Sequence, residues 1–235
     1  MTDVRQIRFA HRRSADQGRA APAHHPVVIV GAGPVGLVAA LDLASKGHRS
    51  VVIDRKSNLS DGSRAICWAK RTLEIMDRLG LGLALVDTGI TWKTGKVFFD
   101  TRQVYEFDLL PEHGHERPAF INLQQYYAEA YLVERALQLP NIDIRWHNRV
   151  AAVEQHEDGA LLTVATPEGE YRIDAQWVAA CDGSRSPLRQ MLGLESKGRI
   201  FKDRFLIADV KLAGGAEFPT ERWFWFDPPL SLIHI

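Results

Sequence analysis

Cysteine is scarce in this chain. Cys67 and Cys181 are the only two in 235 residues, too few for a disulfide framework and without the C-x-x-C spacing of a zinc or redox site. That scarcity suits a reducing cytoplasm, which is the expected location. Net charge is also absent, with 29 basic residues against 29 acidic ones. Such a balance gives no global pull toward nucleic acid or an anionic membrane and leaves a small molecule as the default partner. No apolar run approaches the roughly 20 residues that span a bilayer; the longest candidate, Val27 to Ala44, is interrupted by glycine and proline. His113 and His115 lack a third ligand in their loop, so no metal site is expected. Gly95-Lys96 lacks the earlier glycine and the following Ser or Thr of a P-loop.

The N-terminal residues are basic. Arg5, Arg8, Arg12, Arg13 and Arg19 are opposed only by Asp3 and Asp16, and no amphipathic apolar face accompanies them. A flexible extension over residues 1–25 is therefore expected, rather than a transit peptide.

What is present begins at 27-VVIVGAGPVGLVAALDLASKGHRSVVID-54. Val27 to Val30 reads as a strand buried on both faces. Leu37, Val38, Leu41 and Ala44 recur at helical spacing before a stop at Gly47. A second strand, Ser50 to Ile53, ends at Asp54. The turn between the first strand and the helix reads Gly31-x-Gly33-x-x-Gly36, with Pro34 and Val35 between the last two glycines. In such a turn the first glycine permits the bend, the second lets a pyrophosphate approach the backbone, and the third lets helix and strand pack closely. The helix dipole then faces the phosphates. Asp54, 18 residues after Gly36, stands where a carboxylate accepts from an adenosine ribose and repels a 2′-phosphate. The motif favours FAD or NAD over NADP without separating the first two.

Further along, Leu73, Met76 and Leu79 mark the buried face of a helix within 62–80, and residues 96–109 read as two strands joined by a polar turn. Residues 124–139 form a helix stopped by Pro140. Strands at 142–147, 149–155, 160–166 and 170–181 follow, separated by Asp158-Gly159 and by Pro167-Glu168-Gly169, as a β-meander hung on a parallel α/β core. The final strand runs into 181-CDGSRSPLR-189.

GAGPVG at 31–36, SRA at 63–65 and CDGSRSPLR at 181–189 together resemble the class A flavoprotein monooxygenases, the aromatic hydroxylases similar to p-hydroxybenzoate hydroxylase and 3-(3-hydroxyphenyl)propionate hydroxylase. The Asp-Gly element is the specific part and makes FAD the expected cofactor. The resemblance implies an α/β fold: a Rossmann-like FAD-binding domain of the glutathione-reductase type with a β-meander, plus part of a β-rich substrate domain. Residues 26–90 and 120–200 would form the first, and 91–119 and 201–235 the second.

The same resemblance implies that Gly31, Gly33, Pro34, Val35 and Gly36 hold the FAD pyrophosphate and that Asp54 holds the adenosine ribose, with Arg55 against the adenosine end. Arg64 would pair with the pyrophosphate or reach toward the flavin. Gln125, favoured over Gln124 by its spacing to Leu132, would touch the ribityl region, and Asp182 would lie near the ribose and pyrophosphate. The implied activity is hydroxylation of a small phenolic or aromatic substrate with O₂, through a flavin C4a-hydroperoxide, with NADH or NADPH as transient reductant. No residue is named as catalytic. A homo-oligomer is compatible with this reading. The family's later Gly-Asp element, usually GDAAH, has no counterpart, and Leu230 to Ile235 do not resemble the expected continuation. A C-terminally truncated chain is therefore expected. Two alternatives stay open: a non-catalytic FAD-binding fragment, or a halogenase or reductase on the same scaffold.

Overall fold

The computed structural model describes residues 4–60, 66–199, 201–202, 219–227 and 230–234. Strand β1 (Ala23–Val30) leads through the glycine turn into α1 (Pro34–Ser45) and back to β2 (Ser50–Asp54). Alternation in β1 sends Ile29 toward the helices and Val28 and Val30 to the opposite face, and all three are buried. A strand covered on both faces must be apolar throughout, which is why Val27–Val30 shows no polar alternation. Helix α1 stops at Lys46, and Gly47 adopts φ +84°, a left-handed position suited to glycine.

After β2 come a short strand β3 (Cys67–Ala69) and helices α2 (Lys70–Arg78) and α3 (Gly82–Thr88), then β4 (Ile90–Trp92), β5 (Thr94–Phe99), β6 (Arg102–Asp108) and β7 (Phe120–Asn122). The helix expected within 62–80 therefore begins only at Lys70, because Cys67–Ala69 pairs with β7. Its expected apolar face is buried: Leu73, Met76 and Leu79 are each at most 6% exposed.

Helix α4 (Gln125–Leu137) packs against α1 over the sheet, sharing a core that includes Leu37, Leu41, Ala128, Leu132 and Ala136. Strand β8 (Ile142–Trp146) joins β2 in parallel. Then β9 (Arg149–His156), β10 (Gly159–Thr166) and β11 (Gly169–Ala180) run antiparallel to one another, and β11 returns to pair in parallel with β1. The six-stranded order is β8-β2-β1-β11-β10-β9. A short helix α5 (Pro187–Met191) follows. Strands β12 (Arg222–Asp227) and β13 (Leu230–His234) extend the β5–β6 hairpin to four strands, while β3, β7 and β4 make a third, small sheet.

The expectation of a loose extension over 1–25 is corrected by the structure. Strand β1 starts at Ala23, and the described residues before it are fastened to the sheet. Phe9 stacks on Trp146 at 4.2 Å between ring centroids, and its amide donates to the Ser57 carbonyl. Asp16, 7% exposed, meets Arg145 at 2.6 Å and His25 at 2.8 Å. Arg145 also bonds Asp143 and the Tyr171 hydroxyl, which in turn donates to Asn148. An arginine-rich segment without apolar periodicity can still be ordered when one aromatic and one buried carboxylate supply its anchors. Among the described residues no helix is long and apolar enough to cross a membrane, and no cluster of three His, Cys, Asp or Glu could hold a metal.

Candidate functional site

The C-terminal ends of β1, β2 and β11 lie side by side, and the sequence motifs meet there. Gly31 has φ +110°, and a Cβ on it would lie 2.3 Å from the Cys181 carbonyl oxygen. The first glycine of the motif is thus required both by backbone conformation and by the strand that carries the Asp-Gly element. A Cβ on Gly36 would lie 1.9 Å from the Gly31 carbonyl oxygen. Gly33 is different: a Cβ there would meet nothing within 4 Å. No described residue makes use of the space above Gly33.

That space faces the N-terminus of α1. Gly33 is the cap residue with no side-chain hydrogen bond, Pro34 opens the helix, and Val35 is 70% exposed. A bare helix start of this kind presents free amides and the positive end of the dipole to whatever approaches. Asp54 sits beside it at the tip of β2. Its Oδ2 accepts from the Ala32 amide at 2.7 Å and its Oδ1 from the Lys56 amide at 2.8 Å. Each oxygen keeps a lone pair for an outside donor. Arg55 is exposed next to it.

On the β11 side the Cys181 amide donates to Val30, Gly183 takes φ +89°, and Asp182 Oδ2 accepts from the Leu188 amide at 3.0 Å. Ser186 caps α5 by accepting from Arg189. Burial, reinforced by the Asp182 carboxylate, pushes the Cys181 thiol up, so it is not a ready nucleophile.

Gln125 is the first residue of α4 and Gln124 is its cap. Its amide nitrogen donates to Glu129 at 2.6 Å and approaches the Ser60 hydroxyl at 3.2 Å. Glu129, 3% exposed, also accepts from the Ser60 amide and hydroxyl. Sequence reasoning missed this cluster. The signal was available: a glutamate one turn after Gln125, on the face that carries Ala128, Leu132 and Ala136. Arg64 and the rest of the SRA segment lie outside the described residues. Gly31, Gly33, Pro34, Val35, Gly36, Asp54, Arg55 and Asp182 thus gather at one edge of the sheet, with Gln125 held by a different set of contacts.

The model of the FAD-binding domain family matches residues 24–225. The chain belongs to that family. Among curated proteins it is similar to para-nitrophenol 4-monooxygenase of Pseudomonas sp. (strain WBC-3), 30% identical over 78% of this chain and 46% of the relative. It is also similar to 12-dehydrotetracycline 5-monooxygenase/anhydrotetracycline 6-monooxygenase of Streptomyces rimosus, 32% identical over 80% of this chain and 36% of the relative. Among solved structures it resembles p-nitrophenol 4-monooxygenase PnpA from Pseudomonas putida DLL-E4, with a TM-score of 0.71 at 31% identity, covering 76% of this chain and 46% of that one. The chain spans less than half the length of each of these relatives. FAD fits the residues present: the space left by Gly33 at an uncapped helix start admits a pyrophosphate, and the Asp54 carboxylate next to it has acceptor capacity for a ribose.

Proposed function

We propose that this chain carries the FAD-binding machinery of a flavin-dependent monooxygenase acting on a small phenolic or related aromatic compound, with O₂ and NADH or NADPH. The observation that carries the reading is Gly33, open at the bare start of α1 between two glycines that the fold itself crowds. Membership of the FAD-binding family supports it, as do relatives named monooxygenases.

In this proposal the α1 amides beyond Gly33 receive the two phosphates, and Gly31 and Gly36 keep the turn tight enough for that approach. Asp54 orients the adenosine ribose through its remaining lone pairs, and Arg55 flanks the adenosine. Asp182, already fixed by the Leu188 amide, borders the ribose and pyrophosphate from the β11 side. Gln125, braced by Glu129 and Ser60, reaches the ribityl region. Arg64 keeps its assignment to the pyrophosphate or flavin side. When bound, FAD supplies the redox and oxygen-transfer chemistry.

The β5, β6 and β12 strands would begin the substrate domain over residues 91–119 and 201–235, beside the FAD-binding residues 26–90 and 120–200. Phe98 stacks on Trp225 at 5.2 Å, and Trp223 meets Trp225 edge-on. These rings satisfy one another as a sheet face, and none is assigned to substrate. No acid, base or nucleophile is assigned either. A cytoplasmic location accompanies the proposal.

The test is NADH and NADPH oxidation by the FAD-loaded chain against a panel of phenols, scored by hydroxylated product. Product from at least one phenol supports the proposal. FAD retained without any substrate-stimulated oxidation would reduce the function to cofactor binding.

A further inference from the structure

Behind Gln125 stands a carboxylate that the fold buries among neutral donors. Glu129, one turn along α4, is 3% exposed. Its Oε2 accepts from the Ser60 amide at 2.7 Å, and its Oε1 accepts from the Ser60 hydroxyl at 2.6 Å and from Gln125 Nε2 at 2.6 Å. Among the described residues no Lys, Arg or His pairs with it. Taking a carboxylate out of water without a cation costs stability that an apolar residue at this core position would not cost. Packing alone therefore does not account for Glu129.

The hydrogen bonds close a ring. Ser60 gives its hydroxyl hydrogen to Glu129, so its oxygen is left to accept, and Gln125 Nε2 approaches that oxygen at 3.2 Å. A carboxylate offers acceptors only, so the end of the Gln125 amide that faces it is the NH₂. One amide hydrogen goes to Glu129 and the other to Ser60, and neither is left for a ligand. Gln125 Oε1, by contrast, takes no donor from the described residues. The half-buried side chain is thus a one-sided group with only its carbonyl open. The same carboxylate holds Ser60, six residues past Asp54, and so ties the segment leaving β2 to α4.

We infer that Glu129 is a positioning residue for the cofactor: it fixes the sense of the Gln125 amide, so that a carbonyl oxygen and not an NH₂ is offered to the ribityl chain. The inference rests on the proposed function, in which Gln125 reaches that region. Ribityl hydroxyls donate as well as accept, so a carbonyl held in place can receive one of them. A glutamine free to turn would offer either end and would lose rotamer entropy on binding; the ring removes that cost before the cofactor arrives. Glu129 acts only through Gln125, which explains a buried carboxylate on the face that carries Ala128, Leu132 and Ala136.

The experiment is isothermal titration of the full chain with FAD and with ADP, for wild type, Glu129→Gln, and the exchanged pair Glu129→Gln with Gln125→Glu. In Glu129→Gln one carboxylate oxygen becomes an NH₂. The Ser60 backbone amide cannot turn to meet it, so the new NH₂ faces Gln125 and forces that amide to flip. FAD, which carries the ribityl chain, should then bind about tenfold more weakly, while ADP, which lacks it, should bind as in wild type. The exchanged pair again presents an oxygen to the cofactor and should recover FAD affinity to within about threefold of wild type. Equal weakening of FAD and ADP, no weakening of either, or no recovery in the exchanged pair would each overturn the inference. If Glu129→Gln does not fold, Ser60→Ala frees one amide hydrogen and reads the same ring: FAD should weaken and ADP should not. Hydrogen exchange of the Gln125 side-chain amide, followed by NMR, tests the ring without flavin. Protection in wild type that is lost in Glu129→Gln supports the inference, and rapid exchange in wild type overturns it. A chain that binds no FAD contradicts the proposed function, and the exchange measurement then still decides whether Glu129 fixes the amide.

Discussion

The Ala32 amide donates to Asp54 Oδ2 across 2.7 Å, so the tip of β2 holds the turn that leaves β1. One carboxylate therefore shapes the glycine turn from within and, in the proposed reading, faces the ribose from without. Asp54→Ala removes both, and is expected to cost about 1.5–3 kcal/mol of stability for the lost charged acceptor. It should also lower FAD affinity by more than that loss explains. Chemical denaturation and flavin titration of the same variant separate the two effects.

Gly33 and Gly36 should respond to alanine in opposite ways. At Gly36 the new Cβ meets backbone that cannot yield, 1.9 Å from the Gly31 carbonyl oxygen, and a loss of about 3 kcal/mol or more is expected. At Gly33 the Cβ meets nothing, so Gly33→Ala should leave the melting temperature nearly unchanged while weakening FAD binding. Thermal melts without flavin, followed by flavin titration, read both. Equal destabilisation at the two positions would refute the distinction.

Acid should loosen the N-terminal segment. Burial alone would raise the Asp16 carboxyl, but hydrogen bonds from His25 and Arg145 outweigh it and hold it below the usual carboxylate range. A depressed folded-state value gives stability that is fully present above the unfolded value near 4 and is lost as pH falls through the lower folded one. Asp16→Ala should cost about 3–5 kcal/mol at neutral pH, since it strips one partner from a buried pair. Compared with wild type, its stability should fall less steeply below about pH 4. Urea titrations at several pH values test the slope.

Phe9→Ala removes the ring stacked on Trp146 and is expected to cost about 1–2 kcal/mol, part from the aromatic pair and part from lost burial. A deletion ending before Asp16 should cost more than Phe9→Ala, while one ending after it should approach the sum of the Phe9 and Asp16 losses. Indifference to all three changes would mean that the segment does not support the sheet.

Much of the fold was legible because its signals are local. The β1–α1–β2 unit has strict periodicity and a glycine turn, and the meander has Asp158-Gly159 and Pro167-Glu168-Gly169 at its two turns. The three-residue strands β3, β4 and β7 carried no readable pattern, since a strand that short has no alternation to detect. The order of residues 7–22 was illegible for another reason: it rests on Phe9 reaching Trp146 and Asp16 reaching Arg145, partners more than a hundred positions away. The glycine turn and Asp54 could be named from spacing. Glu129 behind Gln125 depends on tertiary contacts that no spacing announces.

The most direct test is an absorbance titration of the purified wild-type chain and Gly33→Ala with FAD, following the yellow bands of the oxidised flavin. The account predicts saturable perturbation of the bands in wild type, with affinity reduced by about tenfold or more in a Gly33→Ala chain that melts like wild type. A folded wild-type chain that leaves the bands unperturbed, or a Gly33→Ala chain that binds FAD as tightly as wild type, would contradict it.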